Sequence, residues 1–333
     1  MPTIREVSRA AGVSISTVSR VLNHSGPVSQ ETQRRVLAAV AQLGYYPNAF
    51  ARGLVTKRSG GIGATVTDLS DPFFGLMLKG IEERVEHGGM HLIVTDGHGQ
   101  VHAERESVAF LTRHNADAII AYLQQVPDSE VLDWARLERP LVVVARYVPS
   151  MAARCLHIDN VLGGSIATRH LLAMGHRRIA HVSGPLALVD GRDRLLGYRR
   201  SLEEAGLPED PELVVEADFT AEGGASAMRR LLDRGASFTA LFAGNDQMAA
   251  GAMDVLRARG LIVPDDVSVV GFDDLPMDRY LYAPLTTVRQ PVLEMGRAAA
   301  DLALAALRGE EVEVSRVFEA ELVVRHSVKR MTT

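Results

Sequence analysis

Apolar residues recur at helical spacing over the first forty-odd positions and in short β-rich runs from residue 62 onward. Near the N-terminus Ile4, Val7 and Ala11 fall on one face, with Thr3 as cap and Glu6 three residues later as its capping-box partner. Small Ala10 and Ala11 admit a second helix, Gly12 supplies the turn, and Ser14 caps the second helix. In that helix Val18, Val21 and Leu22 pack inward and leave Ile15, Ser16, Ser19 and Arg20 pointing away. A third helix opens at Ser29, carries Val36, Val40 and Leu43 as its stripe, and stops at Gly44. Two short helices around a tight turn predict a helix-turn-helix.

Strand patterns at 62–66, 91–95, 118–122, 141–145, 179–183, 213–216, 240–243, 267–272, 286–289 and 322–325 alternate with longer helical ones. Such alternation argues parallel sheets. The expected fold is a small all-α helix-turn-helix headpiece plus an α/β core of two doubly wound parallel-sheet lobes. The boundaries are 1–47 for the headpiece, 48–60 for a linker in which Asn48 caps one short helix, and 61–333 for the core. One lobe takes about 61–157 and 289–316, the other about 158–288 and 317–331.

Composition changes this picture little. The 333 residues are enough for about two domains of ~150, and 47% hydrophobic residues suit a folded chain. A single cysteine, Cys155, makes neither an internal disulfide nor a zinc cluster, which suits a reducing compartment. No basic n-region opens the chain and no uncharged apolar run reaches spanning length, so a cytoplasmic protein without signal peptide or membrane segment is expected.

Charge changes it more. Residues 1–60 hold eight basic side chains against two acidic ones, a local +6, and the remainder is −11. A basic head on an acidic body points either to a polyanion partner for the head alone, such as double-stranded DNA, or to a small domain with a basic solvated face. The exposed face fits major-groove chemistry: Arg20 can fork onto guanine, Ser16 and Ser19 can bond base edges or phosphates, and Ile15 can meet a thymine methyl. Arg35 is a candidate phosphate contact.

In the body, Asp96, Arg146, Asn245, Asp246, Asp273, Asp274 and Gln290 gather at strand ends, outside which the ligand crevice of an open parallel sheet lies. With Phe73, Phe74 and Phe219 as flat surfaces they suit a polyhydroxylated ligand. Taken singly each has an ordinary role, as helix cap, core aromatic or surface ion pair. Phosphate-loop, dinucleotide, zinc-protease and serine-hydrolase motifs are absent from the sequence, so no enzyme, metal or cofactor is expected.

The run from Thr3 to Asn23, with Val28-Ser29, Gly44-Tyr45, Pro47-Asn48 and Ala51-Arg52-Gly53-Leu54, resembles the headpiece and hinge of the LacI/GalR repressor family. The resemblance implies DNA contacts for Thr3, Ser14, Ile15, Ser16, Thr17, Ser19, Arg20, Asn23, Asn48 and Arg52, with Leu54 as a minor-groove wedge. Asp71-Pro72-Phe73-Phe74, Asp159 to Gly164, Gly175 to Ile179, Asn245 to Ala252, Val270 to Asp274 and Leu285 to Pro291 resemble the family's core and the periplasmic sugar-binding proteins. It implies a sugar site lined by Asp71, Phe73, Phe74, Arg146, Arg194, Asn245, Asp273 and Gln290, with Phe219 stacking on the ring. The stretches around Asp68 to Gly75, Val126 to Asp128 and Asp193 to Tyr198 are most similar to galactose repressors, although Ala145 replaces a polar residue many members carry before Arg146.

The resemblance implies a homodimeric repressor on a near-palindromic operator, its affinity modulated when a sugar closes or rotates the lobes and separates the hinge helices. The chain leaves no room for a C-terminal heptad helix, so dimers are expected, not tetramers. A sugar receptor without a DNA role, or a regulator responding to a non-sugar metabolite, is the alternative.

Overall fold

A computed structural model describes residues 2–22, 26–45, 59–310 and 316–331. The chain divides into two compact units, 1–60 and 61–333.

The first unit contains α1 (Ile4–Ala11), α2 (Ile15–Leu22) and α3 (Gln30–Leu43). Thr3 caps α1 through a complete capping box: its Oγ1 accepts from Glu6 N, and its own backbone N–H donates to Glu6 Oε2 at 2.6 Å. Gly12 and Gly44 end α1 and α3 in left-handed conformations, φ 62° and 60°, that a side chain would strain. Val7, Ala11, Val18, Val21, Val36 and Ala39 form the buried core, and Ile4, Leu22, Val40 and Leu43 pack around it. Ala10, expected at the helix contact, faces solvent, and Ala39 supplies the small buried side chain instead.

The second unit is built on two six-stranded sheets. The first has the order β11-β5-β4-β3-β1-β2, with β1 (Gly61–Val66), β2 (His91–Asp96), β3 (Ala118–Tyr122), β4 (Leu141–Val144), β5 (Cys155–Ile158) and β11 (Val317–Phe318), all parallel. The second has the order β12-β10-β9-β8-β6-β7, with β6 (Ile179–Ser183), β7 (Val214–Glu216), β8 (Ala240–Ala243), β9 (Ser268–Asp273), β10 (Thr286–Arg289) and β12 (Glu321–Val323). Here β12 alone runs antiparallel.

Crossover helices cover the sheets: α4 (Pro72–His87), α5 (Val101–Arg113), α6 (Asp128–Ala135) and α11 (Val292–Arg308) in the first lobe; α7 (Asn160–Ala173), α8 (Val189–Glu204), α9 (Ala221–Asp233) and α10 (Asp246–Ala258) in the second. The chain therefore passes between lobes after β5, after β10 and after β11.

Two short strands escape the pattern expected from sequence. Cys155–Ile158 pairs with β4, and Val317 and Phe318, assigned from sequence to the second lobe, pair in parallel with His157 and Ile158 of the first. Arg289, assigned to the first lobe, ends β10 in the second sheet.

One close approach positions the site. A Cβ on Gly164 would lie 2.3 Å from Arg194 O, and one on Gly197 would lie 2.2 Å from Val161 O. Only glycine lets α7 and α8 meet backbone to backbone, and this brings Asn160 at the start of α7 against Arg194.

Candidate functional site: a cleft in the core and an exposed helix face

The described carboxyl ends of both sheets border a cleft of about 710 Å³. It brings together Asp71, Phe73, Phe74, Arg194, Phe219, Asn245, Asp273 and Gln290. Asp71 caps α4, its Oδ1 accepting from Phe73 N at 2.8 Å; burial pushes its carboxyl above the ordinary range against the pull of that N–H. Phe73, Phe74 and Tyr122 pack edge to face, with centroids 4.9 to 6.2 Å apart. Asn245 caps α10 by accepting from Met248 N at 2.9 Å, while its Nδ2 donates to Phe219 O at 2.9 Å. One side chain thus fixes both a helix start and the loop carrying the aromatic.

Arg194 is buried and held by two hydrogen bonds. Its Nε donates to Asn160 Oδ1 at 2.9 Å, its Nη1 donates to Gly244 O at 2.6 Å, and its guanidinium lies 3.8 Å from the centroid of Phe272. Its Nη1 stands 3.9 Å from Asp273 Oδ1, which also accepts from Gln290 Nε2 at 2.5 Å. Burial nevertheless pushes the Asp273 carboxyl well above its ordinary range, with Arg194 opposing the shift. The cleft therefore offers in-plane donors and acceptors beside aromatic faces, a chemistry suited to hydroxyl groups on a ring.

Arg146 does not join them. Ala145 adopts a left-handed φ of 65° at the end of β4, and the arginine beyond it turns to the α6 entry, donating to Val126 O at 2.6 Å and pairing with Asp128. It braces a loop instead of lining the cleft. Asp274 is likewise drawn off, into pairs with Arg289 at 2.7 Å and with Arg325. Burial raises its carboxyl, but the two guanidinium groups outweigh burial and hold it below the ordinary range. Asp246 is buried behind the cleft, accepting from Leu275 N at 3.0 Å and Thr287 Oγ1 at 2.6 Å.

Motif and resemblance missed a second polar group in the cleft. Asp190 Oδ2 accepts from Tyr122 Oη at 2.8 Å and from Gln124 Nε2 at 3.0 Å, and Oδ1 accepts from Asn160 Nδ2 at 2.9 Å. Burial, then the Asp190 charge, drives the Tyr122 hydroxyl well above its ordinary range. Glu104 is also buried, with the backbone N–H groups of Gln124, Gln125 and Val126 all donating to its carboxylate. Asn160 lay inside a recognised motif and Asp190 four residues before Arg194; Glu104 has no local signal.

In the headpiece unit, Ile15, Ser16 and Arg20 are exposed on α2, Ile15 by 44%, Ser14 is exposed just before it, and Thr17 and Ser19 are half-buried. Ser14 Oγ accepts from Thr17 N at 3.1 Å, a helix cap, and Thr3 belongs to the α1 capping box. An exposed isoleucine beside two serines and an arginine is a surface for a polar partner with apolar methyls. Arg35, the candidate phosphate contact, is exposed and also has an intramolecular role: its Nη2 donates to Ala11 O and, at 3.2 Å, to Gly12 O, closing the carbonyl end of α1. Asn23, Asn48, Arg52 and Leu54 lie outside the described residues.

A basic helix-turn-helix unit in one chain with a two-lobed, cleft-bearing α/β core is the build of a DNA-binding transcriptional regulator, not of an enzyme. The chain belongs to the lacI family of bacterial regulatory proteins. That family's model matches residues 3–48, and a periplasmic binding protein-like domain matches residues 168–328. The HTH-type transcriptional regulator GalR of Escherichia coli (strain K12) is 40% identical over 329 residues, covering 98% of this chain and 96% of GalR.

Among solved structures, a lac repressor dimer bound to operator and the anti-inducer ONPF superposes with a TM-score of 0.86 at 30% identity, covering 98% of this chain and 99% of that one. A CelR–cellobiose complex gives 0.72 at 35% identity, covering 98% and 100%. Among the described residues no helix is long and apolar enough to cross a membrane.

Proposed function

We propose that the chain is a repressor whose operator affinity is set by a small polyhydroxylated ligand in the cleft, a galactose- or galactoside-like sugar being the first candidate. The observation that carries this is the cleft chemistry: Arg194, Asn245, Asp273 and Gln290 present fixed hydrogen-bonding groups beside Phe73, Phe74 and Phe219. The similarity to GalR and to a cellobiose-bound CelR supports a sugar. Ile15, Ser16 and Arg20 read bases, and Thr3, Ser14, Thr17, Ser19, Asn23, Asn48 and Arg52 hold the backbone, with Leu54 the wedge. The protein acts as a homodimer on a near-palindromic site, as the lac repressor dimer on its operator supports.

The test is selection of duplexes from a random pool by the full chain, followed by titration of the recovered site with and without D-galactose, D-ribose and cellobiose. A near-palindromic consensus and a change in operator affinity of roughly 5-fold or more with one sugar are expected. No sequence preference above non-specific binding overturns the repressor reading, and no response to any of the sugars overturns the ligand class.

A further inference from the structure

Gln124, just past the end of β3, is held through both its backbone and its side chain. Its backbone N–H donates to Glu104 Oε1 at 2.8 Å, and the next two N–H groups donate to the same carboxylate. Its side chain is fixed as well, because Asp190 Oδ2, 3.0 Å away, is an acceptor already engaged with Tyr122 Oη. A carboxamide placed there must turn its NH₂ toward Asp190; the reverse orientation sets two acceptors against each other. The other end of the amide, Oε1, is then committed by default: it is buried, has no hydrogen-bond partner, and belongs to a residue that lines the cleft and is only 8% exposed. A buried acceptor without a donor is costly, and the remedy available in a cleft is a donor carried by whatever fills it.

We propose that Gln124 is a specificity-determining residue whose Oε1 accepts one hydroxyl of the bound ligand, and that Asp190 is the positioning residue that keeps Oε1 turned toward it. The proposal rests on the ligand-binding reading above and deepens it. It requires a ligand with an O–H, not merely an oxygen, facing the end of β3. Replacing that hydroxyl by fluorine keeps size and polarity and removes the proton that Oε1 must receive. Asp190→Asn releases the constraint: an asparagine can donate to Gln124 Oε1, so the carboxamide can turn and present N–H to the ligand, a contact in which the ligand group no longer has to supply a proton.

The experiment is calorimetry on the full chain with D-galactose, D-ribose and cellobiose, then with the monodeoxyfluoro analogues of whichever binds best. In the parent, one analogue should bind roughly 5- to 150-fold more weakly than its sugar, the range of one lost buried hydrogen bond. That hydroxyl-to-fluorine ratio should collapse toward 1 in Gln124→Met, which keeps length without a carboxamide, and in Gln124→Ala, which only removes atoms. It should also fall in Asp190→Asn, although Gln124 is intact there. A ratio is insensitive to a general loss of stability or affinity, so a structural weakening alone does not reproduce this pattern. Parent-like ratios in both Gln124 variants overturn the Gln124 assignment. Loss in the Gln124 variants with a parent-like ratio in Asp190→Asn overturns the positioning role. A parent that binds none of the three sugars overturns the ligand class itself, a failure distinct from parent binding that Gln124 does not influence.

Discussion

Glu104→Gln tests how much of the cleft depends on one buried carboxylate in the first lobe. Glu104 Oε1 accepts from Gln124 N at 2.8 Å and Gln125 N at 3.1 Å, and Oε2 accepts from Gln125 N at 3.1 Å and Val126 N at 2.9 Å. Glutamine preserves size and one oxygen, so two of the N–H groups keep an acceptor, now neutral. The amide nitrogen then faces a backbone N–H, donor against donor. Leaving one buried N–H unpaired costs about 1–3 kcal/mol, and weakening the others from charge-assisted to neutral bonds costs about 1 kcal/mol more. The two costs together come to roughly 2–4 kcal/mol, an upper bound because removing a buried charge returns some desolvation energy. At about 2 °C per kcal/mol for a unit as large as 61–333, the core transition should fall by at most roughly 4–8 °C. Scanning calorimetry of parent and variant at pH 7 measures it. A shift below about 1 °C would show that three N–H groups converging on one carboxylate contribute little here, and that the Gln124 loop is held by something else.

Three further outcomes are open to measurement. The carboxyl oxygens of Asp278 are buried without a backbone or hydroxyl donor, facing Asp246 and with Arg325 Nη1 3.9 Å away; burial pushes Asp278 up to about 7. Because the fold favours the protonated form, this stabilisation is complete below pH ~4 and disappears as pH rises through 7, so the core should melt lower at pH 8 than at pH 5; Asp278→Asn should flatten that slope, and an unchanged slope rejects the assignment. Arg35→Ala should destabilise the headpiece by about 1 kcal/mol by freeing the carbonyls at the end of α1, whereas Arg20→Ala should leave stability alone and cost roughly 1–3 kcal/mol on the selected operator with relaxed preference at one symmetric base pair; equal loss of discrimination in both variants contradicts it. Asp273→Asn should weaken the effective sugar roughly 5- to 150-fold in calorimetry while ligand-free operator affinity stays the same, and parent-like sugar affinity removes Asp273 from the site.

The headpiece and much of the cleft are legible in the sequence because their determinants are local. A capping box needs only Thr3 and Glu6, and the caps Asp71 and Asn245 announce the helices whose starts face the cleft. What fails is whatever depends on contacts distant in sequence. Glu104 is an ordinary acid on a helix until it meets N–H groups some twenty residues away, and Asp190 looks like a first-turn acid until Tyr122 and Gln124 reach it from the other lobe. The strands 155–158 and 317–318 are too short to carry a periodic signal, and each exists because the other, or β4, offers it a partner.

Backbone strain accounts for the one expected ligand residue that the cleft does not hold, and for part of what it does hold. Ala145, Phe219, Asp273 and Asp274 all have positive φ, at 65°, 68°, 122° and 60°, and all stand at or just beyond strand ends where the chain must turn into a loop. A propensity rule puts glycine, asparagine or aspartate at such places, so Asp273 and Asp274 carry a weak signal for the turn while Ala145 and Phe219 carry none. At 219 and 273 the unusual backbone is accompanied by hydrogen bonds that tie the segment to its neighbours, from Asn245 Nδ2 to Phe219 O and from Gln290 Nε2 to Asp273 Oδ1. At 145 it has the opposite consequence, turning Arg146 toward Val126 and Asp128. The strand-end rule locates the mouth of a parallel sheet, but at Arg146 the residue before it turns the side chain to another partner, whereas Thr220, which also follows a positive-φ residue, lines the cleft. Ala145 is thus less the missing polar partner its position suggested than the bend beyond which Arg146 pairs with the α6 entry and not with the cleft.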